Sequence, residues 1–137
     1  MNAIADTGFI VGFANSDDAY HEWALTVAAR LTAPALTCDA VLAEAAYHLR
    51  STKFVLELVD SGLLRPAFEV FPNIAQLNEL AHRYEDRSPD LADLCLIRMS
   101  EIFPERVILT VDEKDFRIYR RNGRDTIPLL CPPRARR

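Results

Sequence analysis

Five short apolar runs, separated by segments with helical spacing, constrain the fold of this chain more than any other feature. The runs lie at residues 2–6, 35–38, 64–71, 106–112 and 126–130. Runs of this length suit strands that are buried on both faces. Strands that alternate with helices build a mainly parallel sheet with helices on both faces. The sequence therefore predicts one α/β domain with about five strands.

The segments between the runs carry helix start and stop signals. Asp39 and Asn73 are expected to cap helices, Gly62 and Pro104 to end them, and Pro128 to place the last strand at a sheet edge. The expected helices span residues 19–31, 39–50, 54–61, 73–84 and 90–103, with a helical or turn segment directly after residue 8.

The stretch Leu91–Ile97 reads as a helix that is apolar on nearly every side, which is typical of a buried helix. Asp93 lies inside this stretch. A buried carboxylate is costly unless it is paired or holds a metal ion. Pairing with an arginine or a backbone amide and binding of a cation are both open at this point.

Three further carboxylates are expected at the same edge of the sheet as Asp93. Asp6 and Asp112 end the first and fourth runs, and Glu44 lies about one turn into the helix after the second run. Four clustered acids repel one another, and a hard cation such as Mg²⁺ or Mn²⁺ relieves that repulsion. Asp90 and Asp115 are expected at the rim of such a site.

Composition and absent motifs exclude several classes of protein. The 137 residues carry a net charge of −4, so no chain-wide basic footprint for nucleic acid exists. We expect no membrane span, no secretory signal and, with three scattered cysteines, a cytoplasmic protein without disulfides. The phosphate-loop, dinucleotide and GxSxG patterns are missing. A receiver domain needs an acceptor Asp after a middle strand, and the third run ends in Val70-Phe71-Pro72.

Four segments in this order resemble the PIN domain family, and within it the VapC-like toxins of bacterial toxin–antitoxin pairs. They read ADTGF at 5–9, AEAAYHL at 43–49, DLADLCL at 90–96 and LTVDEKDFRIYR at 109–120. The resemblance implies a nuclease domain over residues 1–131. The residues at 132–137 are expected to form a basic, flexible tail because of their arginines. The chain departs from the family pattern at Gly8, where a serine is common.

The family is a metal-dependent ribonuclease, so the resemblance implies a role for each acid. Asp6, Asp93 and Asp112 would hold Mg²⁺ or Mn²⁺, and Glu44 would complete the catalytic quartet and help deprotonate the attacking water. Thr7 and Thr110 match hydroxyl positions that orient the carboxylates. The resemblance also implies a homodimer that is held inactive by a small antitoxin protein.

Contact with RNA needs basic groups beside the acidic site. Arg117, Arg120 and Arg121 follow Asp112 closely, and we expect at least one of them to bind a phosphate. His48 shares a helix face with Glu44 and is expected to support it. The alternative function is a PIN-like module that binds RNA or protein without cutting it.

Overall fold

A computed structural model of the protein describes residues 1–134 and shows the expected α/β architecture. Its central sheet has five strands, all paired in parallel, in the order β3-β2-β1-β4-β7. The strands are β1 (Ala3–Ala5), β2 (Ala35–Thr37), β3 (Leu64–Pro66), β4 (Val107–Leu109) and β7 (Leu129–Leu130). All three residues of β1 are completely buried, so both faces of the sheet are covered at its centre.

Seven helices flank this sheet within residues 1–134. They are α1 (Thr7–Ala14), α2 (His21–Ala29), α3 (Asp39–Leu49), α4 (Thr52–Asp60), α5 (Ile74–Arg83), α6 (Leu91–Ile102) and α7 (Glu113–Phe116). Helix α1 packs against α2 and α3, and α6 packs against α3 and α5. In this part of the chain, every helix falls short of the length and apolarity that crossing a bilayer demands.

All five strands are shorter than the sequence predicts, and the third, fourth and last differ most. Strand β4 covers only Val107–Leu109 of the run at 106–112, because the chain leaves the sheet at Thr110 and Asp112 caps α7. Strand β3 ends at Pro66 instead of Phe71, because the chain leaves the sheet there, buries Phe68 and enters a 3-10 turn at Phe71–Asn73. Thr126 does not join β7. It belongs to a separate antiparallel hairpin of β5 (Arg120–Arg121) and β6 (Asp125–Thr126). Since Pro128 has no N–H to donate, only Leu129–Leu130 follow it into the sheet, at the predicted edge.

Helix α6 is buried along most of its length, as the sequence predicts, but its two ends are exposed. Leu91 is 50% exposed and Ile102 is 40% exposed, and they are the first and last residues of the helix. Asp93 lies in the first turn and is half-buried, so its carboxylate sits at a rim and not inside the core.

Gly8 has a steric role that its sequence context did not reveal. It is the second residue of α1, and it lies directly against Val111, the residue that leads from β4 toward α7. A Cβ atom on residue 8 would overlap Cγ2 of Val111 and lie 3.2 Å from Cγ1. The absence of a side chain thus lets α1 approach the turn after β4.

We expect Gly8→Ala to lower the free energy of unfolding by about 1–3 kcal/mol, because the new methyl group overpacks this contact. Val111→Ala should relieve the clash, so the double variant should be more stable than the sum of the single effects predicts. Chemical denaturation of the four proteins measures this coupling. If the changes in unfolding free energy of the two single variants add up to that of the double variant, a methyl group at residue 8 does not clash with Val111.

Candidate active site

A cavity of about 600 Å³ opens at the carboxyl ends of the central strands, and carboxylates dominate its wall. Seven acidic residues line it: Asp6, Asp18, Glu44, Asp90, Asp93, Asp112 and Asp115. Among the residues that the structure describes, no lysine or arginine lines this wall, and His48 is its one imidazole. All four members of the predicted quartet, and both predicted rim acids, therefore face the same space.

Helix starts hold three of these acids in place. Asp6 directly follows β1 and its Oδ1 accepts a hydrogen bond of 2.7 Å from the Thr7 amide. Asp90 accepts from the Asp93 amide at 2.8 Å, and Asp112 accepts from the Asp115 amide at 3.3 Å. Each is the N-cap residue of its helix. The positive ends of α1, α6 and α7 thus meet around the cavity and partly offset its negative charge.

Two threonine hydroxyls orient the carboxylates of Asp6 and Glu44. Thr110 Oγ1 donates to Asp6 Oδ2 at 2.7 Å and accepts from the Asp112 amide at 3.0 Å, so one buried hydroxyl connects the two strand ends. Thr7 Oγ1 donates to Glu44 Oε2 at 3.2 Å, which joins α1 to α3. The threonines that the sequence singled out are therefore hydrogen-bonded to the carboxylates.

The pKa values of Asp6, Asp93 and Asp112 are all raised, so the charged form of each carboxylate is disfavoured in this site. Burial raises the pKa of Asp6 to about 6, with further contributions from Glu44 and Asp112, although hydrogen bonds from Thr110 and Thr7 oppose the rise. Burial, followed by repulsion from Asp90, Asp6 and Asp112, raises the pKa of Asp93 to about 7. Burial also raises the pKa of Asp112. Groups so perturbed in a cleft are typical of functional sites.

The donor set suits a hard cation, since the wall offers carboxylate and hydroxyl oxygens and, as far as residue 134, no lysine or arginine to compensate them. Within residues 1–134, however, no three His, Cys, Asp or Glu side chains stand close enough together to hold a metal ion. The residues fit such an ion chemically, and binding would require the carboxylates to draw inward.

The three arginines expected to contact RNA lie outside the cavity wall. The Arg120 guanidinium donates to the carbonyls of Arg117, Ile118 and Tyr119. Arg121 donates to two carbonyls at the end of α6 and just beyond it, at 3.0 Å each. Arg117 pairs with Glu113 at 3.2 Å but stays mostly exposed. Of the three, Arg117 has the guanidinium that is least committed to the fold.

Sequence reasoning missed several residues near the site. Arg87 pairs with Asp115 at 3.7 Å, which brings a positive charge to the rim. Asp18 and Tyr20 belong to the wall, although their segment was interpreted only as a helix start. His48 Nε2 lies 4.0 Å from Glu44 Oε1, as their spacing predicted, and also lines the cavity. The one signal that could have identified Arg87 is its position shortly before Asp90 in the sequence.

The raised pKa values predict a stability that falls with rising pH. Asp6 and Asp93 have pKa values of about 6 and about 7 in the folded protein, against an ordinary value of 3.8. The folded protein therefore binds more protons than the unfolded chain between these values, and stability is lost as pH rises through that window. In EDTA, the free energy of unfolding should be lower at pH 8 than at pH 5.

Asp6→Asn and Asp93→Asn should each reduce this slope, whereas Asp60→Asn, at the exposed end of α4, should leave it unchanged. Denaturation at several pH values measures the slopes. A slope that is equal in wild type and in both site variants would contradict the assignment.

Three comparisons place the chain among known proteins. A family model described as PIN domain matches residues 3–122. The fold resembles VapC20 of Mycobacterium tuberculosis, a toxin that cleaves the sarcin-ricin loop, with a TM-score of 0.68, 19% identity, and coverage of 77% of this chain and 86% of that one. It also resembles VapBC2 of Rickettsia felis, solved with a DNA fragment from its promoter, with a TM-score of 0.63, 19% identity, and coverage of 97% and 100%. No curated protein matches the chain. Because the family model covers most of the sequence, the protein belongs to the PIN domain family.

Proposed function

We propose that this protein is a metal-dependent endoribonuclease that acts as the toxin of a toxin–antitoxin pair. The observation that carries the proposal is the acid-lined cavity at the carboxyl edge of a PIN-family sheet, where burial and mutual repulsion raise the pKa values of Asp6 and Asp93. Such a wall repels a phosphodiester until a cation neutralises it. A nuclease site that loads a cation before its substrate accounts for this charge.

In this proposal Asp6, Asp93 and Asp112 hold Mg²⁺ or Mn²⁺. The ion, when bound, would lower the pKa of a bound water and stabilise charge on the phosphate. Thr110 keeps the Asp6 carboxylate fixed through their 2.7 Å hydrogen bond. Asp90 and Asp115 shape the rim by capping α6 and by pairing with Arg87.

Glu44 is suited to accept a proton from the attacking water. Its Oε2 is held by Thr7 at 3.2 Å, while Oε1 lies 4.0 Å from His48, and the side chain is 38% exposed. One oxygen is therefore positioned and the other remains accessible from the cavity.

The substrate and partners follow from the same proposal. RNA is the expected substrate, and Arg117 and Arg87, each paired with an acid of α7, are exposed cations that can meet its phosphates. Arg120 and Arg121 would have to release backbone carbonyls to do so. We further propose a cytoplasmic homodimer whose nuclease domain, residues 1–131, is covered by an antitoxin. Arg134, in the expected tail at 132–137, pairs with Glu113 at 3.8 Å, while residues 135–137 lie outside the described part of the chain.

One observation favours the second candidate, a module that binds without cutting. The side chains in residues 1–134 do not form a ready three-ligand metal site. If the carboxylates cannot draw together, the cavity would bind no catalytic ion. Metal titration by calorimetry separates the two candidates.

The proposal is tested by incubating the purified protein, freed of any partner, with total cellular RNA that includes tRNA and rRNA. We expect discrete cuts with Mn²⁺ or Mg²⁺, none in EDTA, and none with Asp6→Asn or Asp93→Asn, because both variants remove an anionic ligand. Asp60→Asn should cut as wild type does. Cuts that persist in EDTA or in both site variants would refute the metal site.

Thr110→Val should lower cleavage by roughly 10–100-fold, because the Asp6 carboxylate loses the group that orients it. Thr110→Ser keeps the hydroxyl and should restore most activity. Thr37→Val is the matched control, since the Thr37 hydroxyl is equally buried but donates to the Ala5 carbonyl at 3.0 Å. Equal losses in both valine variants at equal folded fraction would contradict a positioning role for Thr110.

A further inference from the structure

A second cavity, of about 750 Å³, opens directly beside the acidic one. Its wall comes from the start of α2, the turn between β4 and α7, and residues 131–134. Tyr20 and Val111 line both cavities. The two cavities therefore adjoin at these two side chains, which brings both within reach of one extended ligand.

Tyr20 stands at this junction with a fixed backbone and an accessible side chain. Its amide donates to Asp18 Oδ1 at 2.8 Å, and its carbonyl accepts from the Ala24 amide at 2.9 Å. The residue is nevertheless 41% exposed. An exposed aromatic side chain on a hydrogen-bonded backbone is suited to stacking against a planar ligand, because the residue loses little conformational entropy when the ligand binds.

The rest of the wall combines aromatic and apolar groups with the charged side chains of Glu22, Glu113 and Arg134. Trp23 is half-buried and meets Phe9 edge to face at a ring-centroid distance of 6.0 Å. Pro132 and Pro133 add further apolar surface. These groups favour a flat, uncharged ligand.

The charges in the wall argue against a phosphate in this cavity. Within residues 1–134, Arg134 is the one cation that lines this cavity, and it lies 3.8 Å from Glu113, which also pairs with Arg117 at 3.2 Å. Glu22 adds an exposed carboxylate. Phosphate therefore belongs in a cation-loaded acidic cavity, while the second cavity suits the uncharged part of the same ligand.

We propose that the second cavity binds a nucleobase next to the phosphate that is cleaved, with the base stacked on Tyr20. This inference rests on the proposed ribonuclease function and names where its substrate lies. It also specifies the form of the RNA. A base inside a duplex is already stacked on its neighbours, so the base that enters this cavity comes from an unpaired segment.

The sole tryptophan of the chain, Trp23, lies in the wall and reports on occupancy directly. Adenosine, cytidine and uridine are each titrated into the protein in EDTA, with ribose as the control ligand. Loss of fluorescence caused by the absorbance of the nucleosides is corrected with parallel titrations of free N-acetyltryptophanamide. At least one nucleoside should change Trp23 fluorescence saturably, and ribose should not. Tyr20→Ala should weaken this binding at least about fivefold, because it removes the stacking surface. Phe71→Ala, which removes an aromatic side chain that is 84% exposed on another part of the molecule, should bind as wild type does.

Cleavage kinetics give a second readout on RNA itself. Tyr20→Ala should raise KM by roughly 5–100-fold, since stacking on an aromatic side chain contributes to RNA binding. Tyr20→Phe should restore it, and Mn²⁺ affinity measured by calorimetry should be the same in all three proteins.

The two proposals fail differently. If nucleosides bind through Tyr20 but no RNA is cut, the nuclease proposal fails and the base-binding cavity stands. If RNA is cut with unchanged KM in Tyr20→Ala, and no nucleoside alters Trp23 fluorescence, the base assignment is overturned and the cavity is left to a protein partner.

Discussion

The cost of burying several carboxylates together at one edge of the sheet is the constraint on which the rest of this structure depends. Burial and neighbouring charge raise the pKa values of Asp6 and Asp93 to about 6 and about 7. The fold tolerates this cost because three helices begin at the cavity and two threonine hydroxyls donate into it. These dipoles offset part of the charge, and a bound cation would offset the remainder.

The register of two very short strands sets the geometry of the site. Ala5 pairs with Leu109, and the Asp6 amide donates to the Leu109 carbonyl at 3.0 Å. The next residues on the two strands, Asp6 and Thr110, are thereby brought within one hydrogen bond. A shift of one residue between β1 and β4 would turn one of these side chains to the opposite face of the sheet. The pairing of β1 with β4 therefore fixes both the register of the sheet and the geometry of the site.

The sequence predicted the sheet, the order of its elements and six of the seven carboxylates that share the cavity. The spacing of apolar residues indicates the elements, and the positions of the acids relative to the strand ends indicate the shared edge. It could not predict where Arg120 and Arg121 would point, since their partners are backbone carbonyls supplied by the fold. Tyr20 and Arg87 were missed because each lies in a loop or turn whose local pattern indicates only a helix boundary. The extent of β3 failed for a similar reason: burial of Phe68 continues after strand pairing has stopped.

The turn from Thr110 to Asp112 assigns a different task to each of three consecutive residues. Thr110 orients Asp6, Val111 packs against Gly8 and separates the two cavities, and Asp112 caps α7. An inserted or deleted residue here would change all three tasks at once, so the length of this loop is as constrained as its composition. Paired substitutions at Gly8 and Val111 can preserve the packing of this turn against α1, whereas a change in its length cannot.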